Sequence, residues 1–342
     1  MSMFSSLISR DIGIDLGTAN TLIYLENEGI VLNEPSVVAI EKATNHVISI
    51  GTDAKYMLGR TPGAIIAVRP LRDGVIADFE IVEKMIRYFI NKISPRKTLL
   101  NPRVVIGIPT GITEVEKRAV LESCEQAGAR EIYLIEEPLA AAIGAGMPTS
   151  LPLGNMIVDI GGGTTEIAVI SLGSIVVERS IPVGGNEIDQ AVVDFVKDAF
   201  NVVIGQRSAE DIKTTFADLW NIQSKETYAA KGRDAISGLP RSQEMTLREV
   251  KEAIMEPVKK IIFSIKSVLD QTPPELSADI MEHGIVVSGG GALLKGFKKM
   301  LSHETGVPVV IANNPTECVA VGTGIYLAQL KEMQHKKKYL KI

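Results

Sequence analysis

Two stretches of this chain set a carboxylate, a glycine and threonines in the same order. The first is Ile12-Gly-Ile-Asp15-Leu-Gly17-Thr18-Ala19-Asn20-Thr21-Leu-Ile23. The second is Met156-Ile-Val-Asp159-Ile-Gly161-Gly162-Gly163-Thr164-Thr165-Glu-Ile-Ala-Val169. In both, Gly follows Asp by two residues and Thr follows it by six. An apolar run, a glycine turn and a second run rich in β-branched residues predict a β-hairpin at each place. Glycine lets the backbone approach a ligand closely, and successive amide N–H groups then form a concavity that holds phosphate oxygens. Asp15 and Asp159 add hard oxygen donors for Mg2+, an ion that keeps several waters beside β- and γ-phosphates. One such hairpin is an ordinary turn. Two matched copies point to a nucleotide polyphosphate gripped from both sides, by Gly17, Thr18, Ala19 and Asn20 on one and by Gly161, Gly162, Gly163 and Thr164 on the other.

A third glycine turn, Ser288-Gly289-Gly290-Gly291-Ala292, follows the apolar run Gly284-Ile-Val-Val. Strand, turn and ensuing helix make a ledge suited to an adenine ring or an adjoining phosphate, although glycine also serves any tight strand-to-helix connection. The dipeptide Gly-Lys never occurs, which rules out a P-loop, and the dinucleotide fingerprint of three spaced glycines is missing too.

The elements around these turns are readable. Glu131-Ile-Tyr-Leu-Ile-Glu136 reads as a buried strand, and Pro138-Leu-Ala-Ala-Ala-Ile as a helix with proline at its first position. Glu137 then stands at the carboxyl end of a strand and the entrance of a helix, where ligands collect in open α/β sheets. Any acid suits that position too, through about 0.3–1 kcal/mol of helix-dipole interaction. Thr113 and Glu116 form a capping box before a helix with Val120, Leu121, Cys124 and Ala127 on one face, ended by Gly128, which makes Cys124 a core residue. In Gly205-Gln-Arg-Ser208-Ala-Glu210-Asp-Ile-Lys213, Ser208 reads as an N-cap and the charges as a solvated helix face. Strands and helices alternate through both halves, the pattern of α/β domains with mixed sheets.

At 342 residues the chain exceeds the ~250–300 at which single cores stop growing, so two domains are expected. Hydrophobic residues at 45% and charged residues at 23% belong to a folded chain. A net charge of −5 and 5% aromatics leave neither a basic footprint nor stacking platforms, so nucleic acid is not an expected partner. Cys124 and Cys318 form no CxxC, and His46, His283, His303 and His335 show no metal-ligand spacing; reduced thiols in a cytoplasmic protein are expected. The first residues carry no basic n-region, and no run of ~18 apolar residues follows, so neither a signal peptide nor a membrane span is expected. A short amphipathic helix at the start would place Phe4, Leu7 and Ile8 on one face and serines on the other.

In this order and spacing, DLGTANT, VVIGIPTGITEVEKRAV, LIEEPLAAAIGAG, VDIGGGTTEIAV, GRDAISGLPR and VVSGGGALLKGF resemble the MreB-type bacterial actins of the actin, sugar-kinase and chaperone ATPase superfamily. The resemblance covers nearly the whole chain. It implies an actin-like fold of two ribonuclease-H-like domains, each with an inserted subdomain, and a nucleotide cleft between them. Residues 1–146 form the first domain, with an insertion near 31–77 and a returning C-terminal helix near Gly322 to Lys331, within residues 322–342. Residues 147–321 form the second, with an insertion near 184–257. It also implies ATP and ADP as ligands with Mg2+, Glu137 orienting the attacking water with Thr164 as helper, and Glu210 and Lys213 touching ribose and adenine. Homopolymer filaments organising cell shape and cell-wall synthesis are implied, in the cytoplasm and peripheral to the inner face of the cell membrane. Morphogenetic membrane proteins of the cell-wall machinery are the implied partners, and Leu99-Leu100, in the Pro-bounded loop Ser94 to Pro102, resemble a membrane-inserting loop. A small-molecule kinase would share the ATP site. So would a chaperone-type ATPase, which is normally followed by a substrate-binding domain, whereas this chain stops at Ile342.

Overall fold

The structure is a computed structural model that describes residues 10–72, 74–93, 100–221, 223 and 225–339, with side chains to Met333. The chain divides into two compact units, Met1–Thr149 with Thr316–Ile342, and Ser150–Pro315.

In the first unit β1 (Ile12–Leu16), β2 (Asn20–Leu25) and β3 (Gly29–Pro35) make an antiparallel meander. A small sheet of β4 (Val38–Glu41), β5 (Val47–Ile50) and β6 (Ile65–Val68) follows, with α1 (Thr52–Met57) between its last two strands. The short hairpin β7 (Leu71–Arg72) and β8 (Val75–Ile76) leads into α2 (Phe79–Ile93). Then come β9 (Arg103–Ile108), α3 (Glu114–Gln126), β10 (Glu131–Glu136) and α4 (Glu137–Gly144). β9 and β10 join parallel to β1, giving the order β10-β9-β1-β2-β3.

The second unit opens with the meander β11 (Asn155–Ile160), β12 (Thr165–Ser171) and β13 (Ser174–Ile181). α5 (Gly185–Phe200), β14 (Val202–Val203) and α6 (Gln206–Asp211) follow, the last continuing as a π-helical turn, Ile212–Phe216. β15 (Thr227–Asp234) and β16 (Pro240–Thr246) pair beside β14, and α7 (Leu247–Gln271) and α8 (Pro274–His283) lead to β17 (Ile285–Ser288). A 3-10 turn (Gly290–Leu293), α9 (Phe297–Thr305) and β18 (Val309–Ile311) complete it. The main sheet runs β13-β12-β11-β17-β18, with β17 and β18 parallel to β11. Strand for strand it repeats the first sheet, as the two matched hairpin sequences predict.

Each unit has its own apolar core. α2 buries Ile81, Val82, Met85, Ile86, Phe89, Ile90 and Ile93 at helical spacing. β11 is buried along its whole length, whereas the edge strand β13 alternates exposed and half-buried residues, as period-two side chains require. Thr113 and Glu116 make the predicted capping box, and Cys124 lies fully buried, its thiol pushed up to about 12 by burial.

The last helix, α10 (Cys318–Tyr339), packs in the first unit against α4 and β1. It begins four residues before the predicted start. A Cβ added to Gly322 would fall 1.8 Å from the Ala140 carbonyl oxygen, and one on Gly144 would fall 1.8 Å from that of Cys318. The two helices therefore touch backbone to backbone. Other local readings shift as well. β10 is only half-buried over its first four residues, because it sits at the sheet edge. α4 starts at Glu137, so Pro138 is its second residue. Gly205, not Ser208, is the N-cap of α6, and Ser208 falls inside its first turn. The third glycine turn enters a 3-10 turn before α9. Among the described residues no helix is long and apolar enough to cross a membrane.

The α4–α10 contact is directly testable. Gly322→Ala should lower stability by about 1–3 kcal/mol, the cost of overpacking, whereas Gly63→Ala, where an added Cβ meets nothing within 4 Å, should be near neutral. Thermal unfolding of the two variants distinguishes them, and equal melting points would refute the close contact.

Candidate functional site

In the first unit the β1–β2 turn is held from behind. Ser36, just after β3 and fully buried, donates its hydroxyl to the Gly17 carbonyl (2.6 Å) and its amide to the Ala19 carbonyl (3.0 Å). A trans peptide points its N–H opposite to its C=O. Drawing the Gly17 carbonyl toward Ser36 therefore turns the Thr18 N–H away from Ser36. Gly17 itself leaves no room for a side chain, since a Cβ would lie 2.7 Å from the Asn20 carbonyl oxygen. The Thr18 hydroxyl accepts from the Gly74 amide (3.2 Å), and the Asn20 side chain donates to Asn33 on β3 (2.9 Å). Asp15, on β1, pairs across the hairpin with Leu22.

Glu137 is 9% exposed and begins α4 at the carboxyl end of β10. A Cβ on Gly107 of β9 would lie 3.3 Å from the Glu137 Cγ, so the glycine makes room for the glutamate. With Leu16, Gly74, Gly107 and Pro109, Glu137 lines a narrow pocket of about 10 Å3, close to the room one water needs. Leu16 ends β1, and Gly74 donates to Thr18. The glutamate and the first hairpin therefore share a pocket.

The second unit repeats the device with other parts. The Gly185 amide donates to the Gly161 carbonyl (3.0 Å) and the Asn186 amide to the Gly162 carbonyl (2.8 Å). These are orphan donors at the start of α5, and by the same antiparallel geometry they turn the Gly162 and Gly163 N–H groups away from the helix. A Cβ on Gly184 would sit 2.7 Å from the Gly161 carbonyl oxygen, so helix and turn meet only because glycine stands there. The Gly161 amide closes the turn on the Thr164 carbonyl at 2.8 Å. Gly289 and Gly291 press against Ile160, the last residue of β11, while an added Cβ on Gly290 would face open space. This brings the third glycine turn, Gly289 to Ala292, beside the second hairpin.

Asp159 and Ser288 are partners across the parallel β11–β17 pair, and the Ser288 hydroxyl donates to the Asp159 carboxylate at 2.6 Å. Burial pushes the Asp159 carboxyl up to about 6, against the smaller lowering effect of that hydrogen bond. A buried carboxylate held by a hydroxyl beside outward-facing amides is an oxygen donor that gains from a hard cation, so the residues present fit Mg2+.

Lys213 departs from the solvated face predicted for it. On the π-helical turn, its Nζ donates to the Gly185 carbonyl and to Asp189 of α5, both at 2.9 Å. It thus lies against the helix start that supports the second hairpin. Glu210 stands on α6, half-buried. Leu100 is 47% exposed, whereas Leu99, Phe4, Leu7 and Ile8 lie outside the described residues.

Two topologically matched sheets, each ending in an Asp–Gly hairpin, form the frame of the actin superfamily, and a family model described as MreB/Mbl protein matches residues 9–335. The chain belongs to the MreB/Mbl family. It is 50% identical over 331 residues to the cell shape-determining protein Mbl of Bacillus subtilis (strain 168), spanning 97% of this chain and 99% of that one. It is 47% identical over 329 residues to the cell shape-determining protein MreB of Escherichia coli (strain K12), covering 95% of each. The crystal structure of MreB5 of Spiroplasma citri bound to AMPPNP superposes with a TM-score of 0.91 at 38% identity, over 96% of this chain and 99% of that one. The MamK double helical filament, at 22% identity and a TM-score of 0.75, shares the fold. Within this MreB/Mbl frame, sequence patterns missed Ser36, Asp189 and the supporting role of Gly184 and Gly185. Only the glycine pair before an amphipathic helix carried a signal.

Asp159 links the site to stability. Its carboxyl rises from an ordinary 3.8 to about 6, so the fold favours the protonated form. Stability of the nucleotide-free protein should fall as pH rises from about 4 to about 6 and stay lower above that, by about 3 kcal/mol at most. Asp159→Asn should melt higher than the parent at neutral pH, lose that pH dependence, and gain less from Mg2+ with ATP. A variant that melts lower yet is stabilised normally by Mg2+-ATP would contradict this assignment.

Proposed function

We propose that this chain is an ATP-binding, ATP-hydrolysing actin-like protein that assembles with copies of itself into filaments organising cell shape and cell-wall synthesis. The observation that carries the reading is the pair of hairpins whose carbonyls are drawn backward, by Ser36 in one unit and by the start of α5 in the other, so that amides face a ligand. One nucleotide takes phosphate contacts from both turns: Gly17, Thr18, Ala19 and Asn20, and Gly161, Gly162, Gly163 and Thr164. Gly289, Gly290, Gly291 and Ala292 form the ledge for the base. Glu210 and Lys213 serve the ribose and adenine, with Lys213 held in place by Asp189. The MreB5 structures of Spiroplasma citri with AMPPNP and with ADP support a nucleotide of this kind.

Asp15 and Asp159 would hold Mg2+ through its waters, and the ion supplies neutralisation of charge on the phosphates. The rest of the chemistry is positioning, since phosphoryl transfer asks mainly for alignment and charge stabilisation. Glu137, at the head of α4 in a pocket that fits a water, orients that water toward the γ-phosphate, and Thr164 assists from the second hairpin. The outward amides hold the terminal phosphate oxygens where charge develops. Hydrolysis is coupled to polymerisation.

The filament lies in the cytoplasm against the inner face of the cell membrane. Residues Phe4, Leu7, Ile8, Leu99 and Leu100 meet the lipid surface, and morphogenetic membrane proteins of the cell-wall machinery are its partners. Each fully buried apolar side chain contributes about 1.5–3 kcal/mol before ordering costs, so a single subunit binds lipid weakly. A polymer multiplies such weak anchors through high effective concentration. Nucleic acid is not among the partners, in keeping with the net charge of −5.

Glu137→Ala tests the catalytic assignment. It should bind a fluorescent ATP analogue within a few-fold of the parent, release phosphate more slowly by about a hundredfold or more, and leave longer-lived filaments in light scattering. Phosphate release at the parental rate would place the water-orienting group elsewhere.

A further inference from the structure

The turn of the second hairpin, Gly161 to Thr165, contains no cation. One reaches it indirectly. The ammonium of Lys213 has three donors, and it directs two of them at the Gly185 carbonyl and at Asp189, both at 2.9 Å. Asp189 is 5% exposed and the lysine side chain 17%, so solvent and salt screen this pair little. Gly185 admits the ammonium because it is bare, since a Cβ there would lie 3.1 Å from Lys213 Nζ.

The Gly185 carbonyl belongs to the same peptide as the Asn186 amide, which donates to the Gly162 carbonyl at 2.8 Å. That carbonyl in turn shares its peptide with the Gly163 N–H, which points away from the helix. Two peptides in a row therefore lead from the ammonium to an outward amide. Hydrogen-bonded groups in a chain polarise one another, and a cation at the head of the row draws electron density toward itself through each peptide. The Gly163 N–H at the far end becomes a stronger donor to an anion. The lysine is also set in place from its other side. Lys295, three residues past the third glycine turn, donates its Nζ to the Thr215 carbonyl of the π-helical turn (2.9 Å), and its own carbonyl accepts from the Leu219 amide (2.9 Å).

We propose that Lys213, held by Asp189, is a positioning residue for the polyphosphate of the nucleotide, acting through the Gly185–Asn186 and Gly162–Gly163 peptides to strengthen the grip of the second turn. This role rests on the reading of that turn as a phosphate site, and it gives a second task to a lysine assigned to the ribose and adenine. Asp189 touches no ligand in this scheme. Its carboxylate fixes the ammonium on the Gly185 carbonyl and keeps it from swinging elsewhere.

The test uses the full chain with Mg2+ and a fluorescent ATP analogue, whose affinity is measured for each variant, and displaces it with inorganic tripolyphosphate, which has neither base nor sugar, or with adenosine, which has no phosphate. Losing the charge at the head of the row should weaken tripolyphosphate binding about fivefold in Lys213→Gln, and Lys213→Arg, which keeps the charge, should recover most of it. Asp189→Asn gives the decisive sign. Plain attraction between protein charge and phosphate predicts tighter binding once a carboxylate is removed, whereas loss of positioning predicts binding weaker by about threefold or more. Each neutralising single change leaves a buried charge without its partner, so the double variant Asp189→Asn/Lys213→Gln, which leaves none, should melt near the parent and show the same loss as Lys213→Gln. Parental tripolyphosphate affinity in Lys213→Gln or in the double variant, with only adenosine weakened, would overturn the proposal, as would tighter binding by Asp189→Asn or no recovery in Lys213→Arg. If tripolyphosphate fails to displace the analogue from the parent itself, the phosphate reading of the turn fails, an outcome distinct from failure of the lysine's role.

Discussion

A turn can offer its amides to a phosphate only when its carbonyls are satisfied elsewhere, because each peptide plane carries both groups in opposite directions. Much of the local architecture follows from that constraint. In the first unit the chain must come back along β3 so that Ser36 can donate to the Gly17 and Ala19 carbonyls. In the second unit the amides at the start of α5 perform the same task, and Gly184 must be bare for the helix to come close enough. The hairpin, its third strand and the element after it are thus one device in each half. The two sheets share strand order while the parts behind their turns differ.

Two buried aspartates show how environment assigns opposite roles to one residue type. Asp11 is ringed by Arg103, Arg130 and Lys331 and ties together the starts of β1 and β9 and the length of α10. Its charge is matched within the fold. Asp159 is equally buried but is held by a hydroxyl, and burial raises its carboxyl toward neutrality. A fold that keeps such a group gives up stability until a cation restores the balance. The charge of Asp11 is matched internally, and that of Asp159 is the one the proposed function assigns to a ligand.

The sequence made the two hairpins, the glutamate at the β10–α4 junction and the capping box of α3 legible, because each depends on residues close in the chain. Sequence periodicity also placed Cys124 in the core. What it could not show depends on long-range approach. Ser36 follows a proline with no pattern around it, yet it meets a turn nineteen residues away. Lys213 reads as one charge on a polar helix, but a π-helical turn aims it at Asp189, twenty-four residues earlier. β10 reads as buried from its composition, and only its edge position leaves it half-covered. Periodicity reports which residues are apolar, not which sheet position receives them.

Within the first unit, the α4–α10 contact binds sheet and helices together. Glu137 is the first residue of α4, and two turns later Gly144 lies against the backbone of Cys318, with Gly322 against that of Ala140. No side-chain layer separates the helices at these points, so relative sliding would drive carbonyl into backbone rather than repack flexible groups. Farther along, Gly13 and Gly324 let α10 settle directly on β1 and Tyr24, and Lys331 fastens it to Asp11. Glu137 and the strand that carries Asp15 are therefore positioned against the same rigid helix. Glycine's missing side chain, which at the second hairpin lets helix and turn meet, is used here to remove slack between α10 and the elements that carry Glu137 and Asp15.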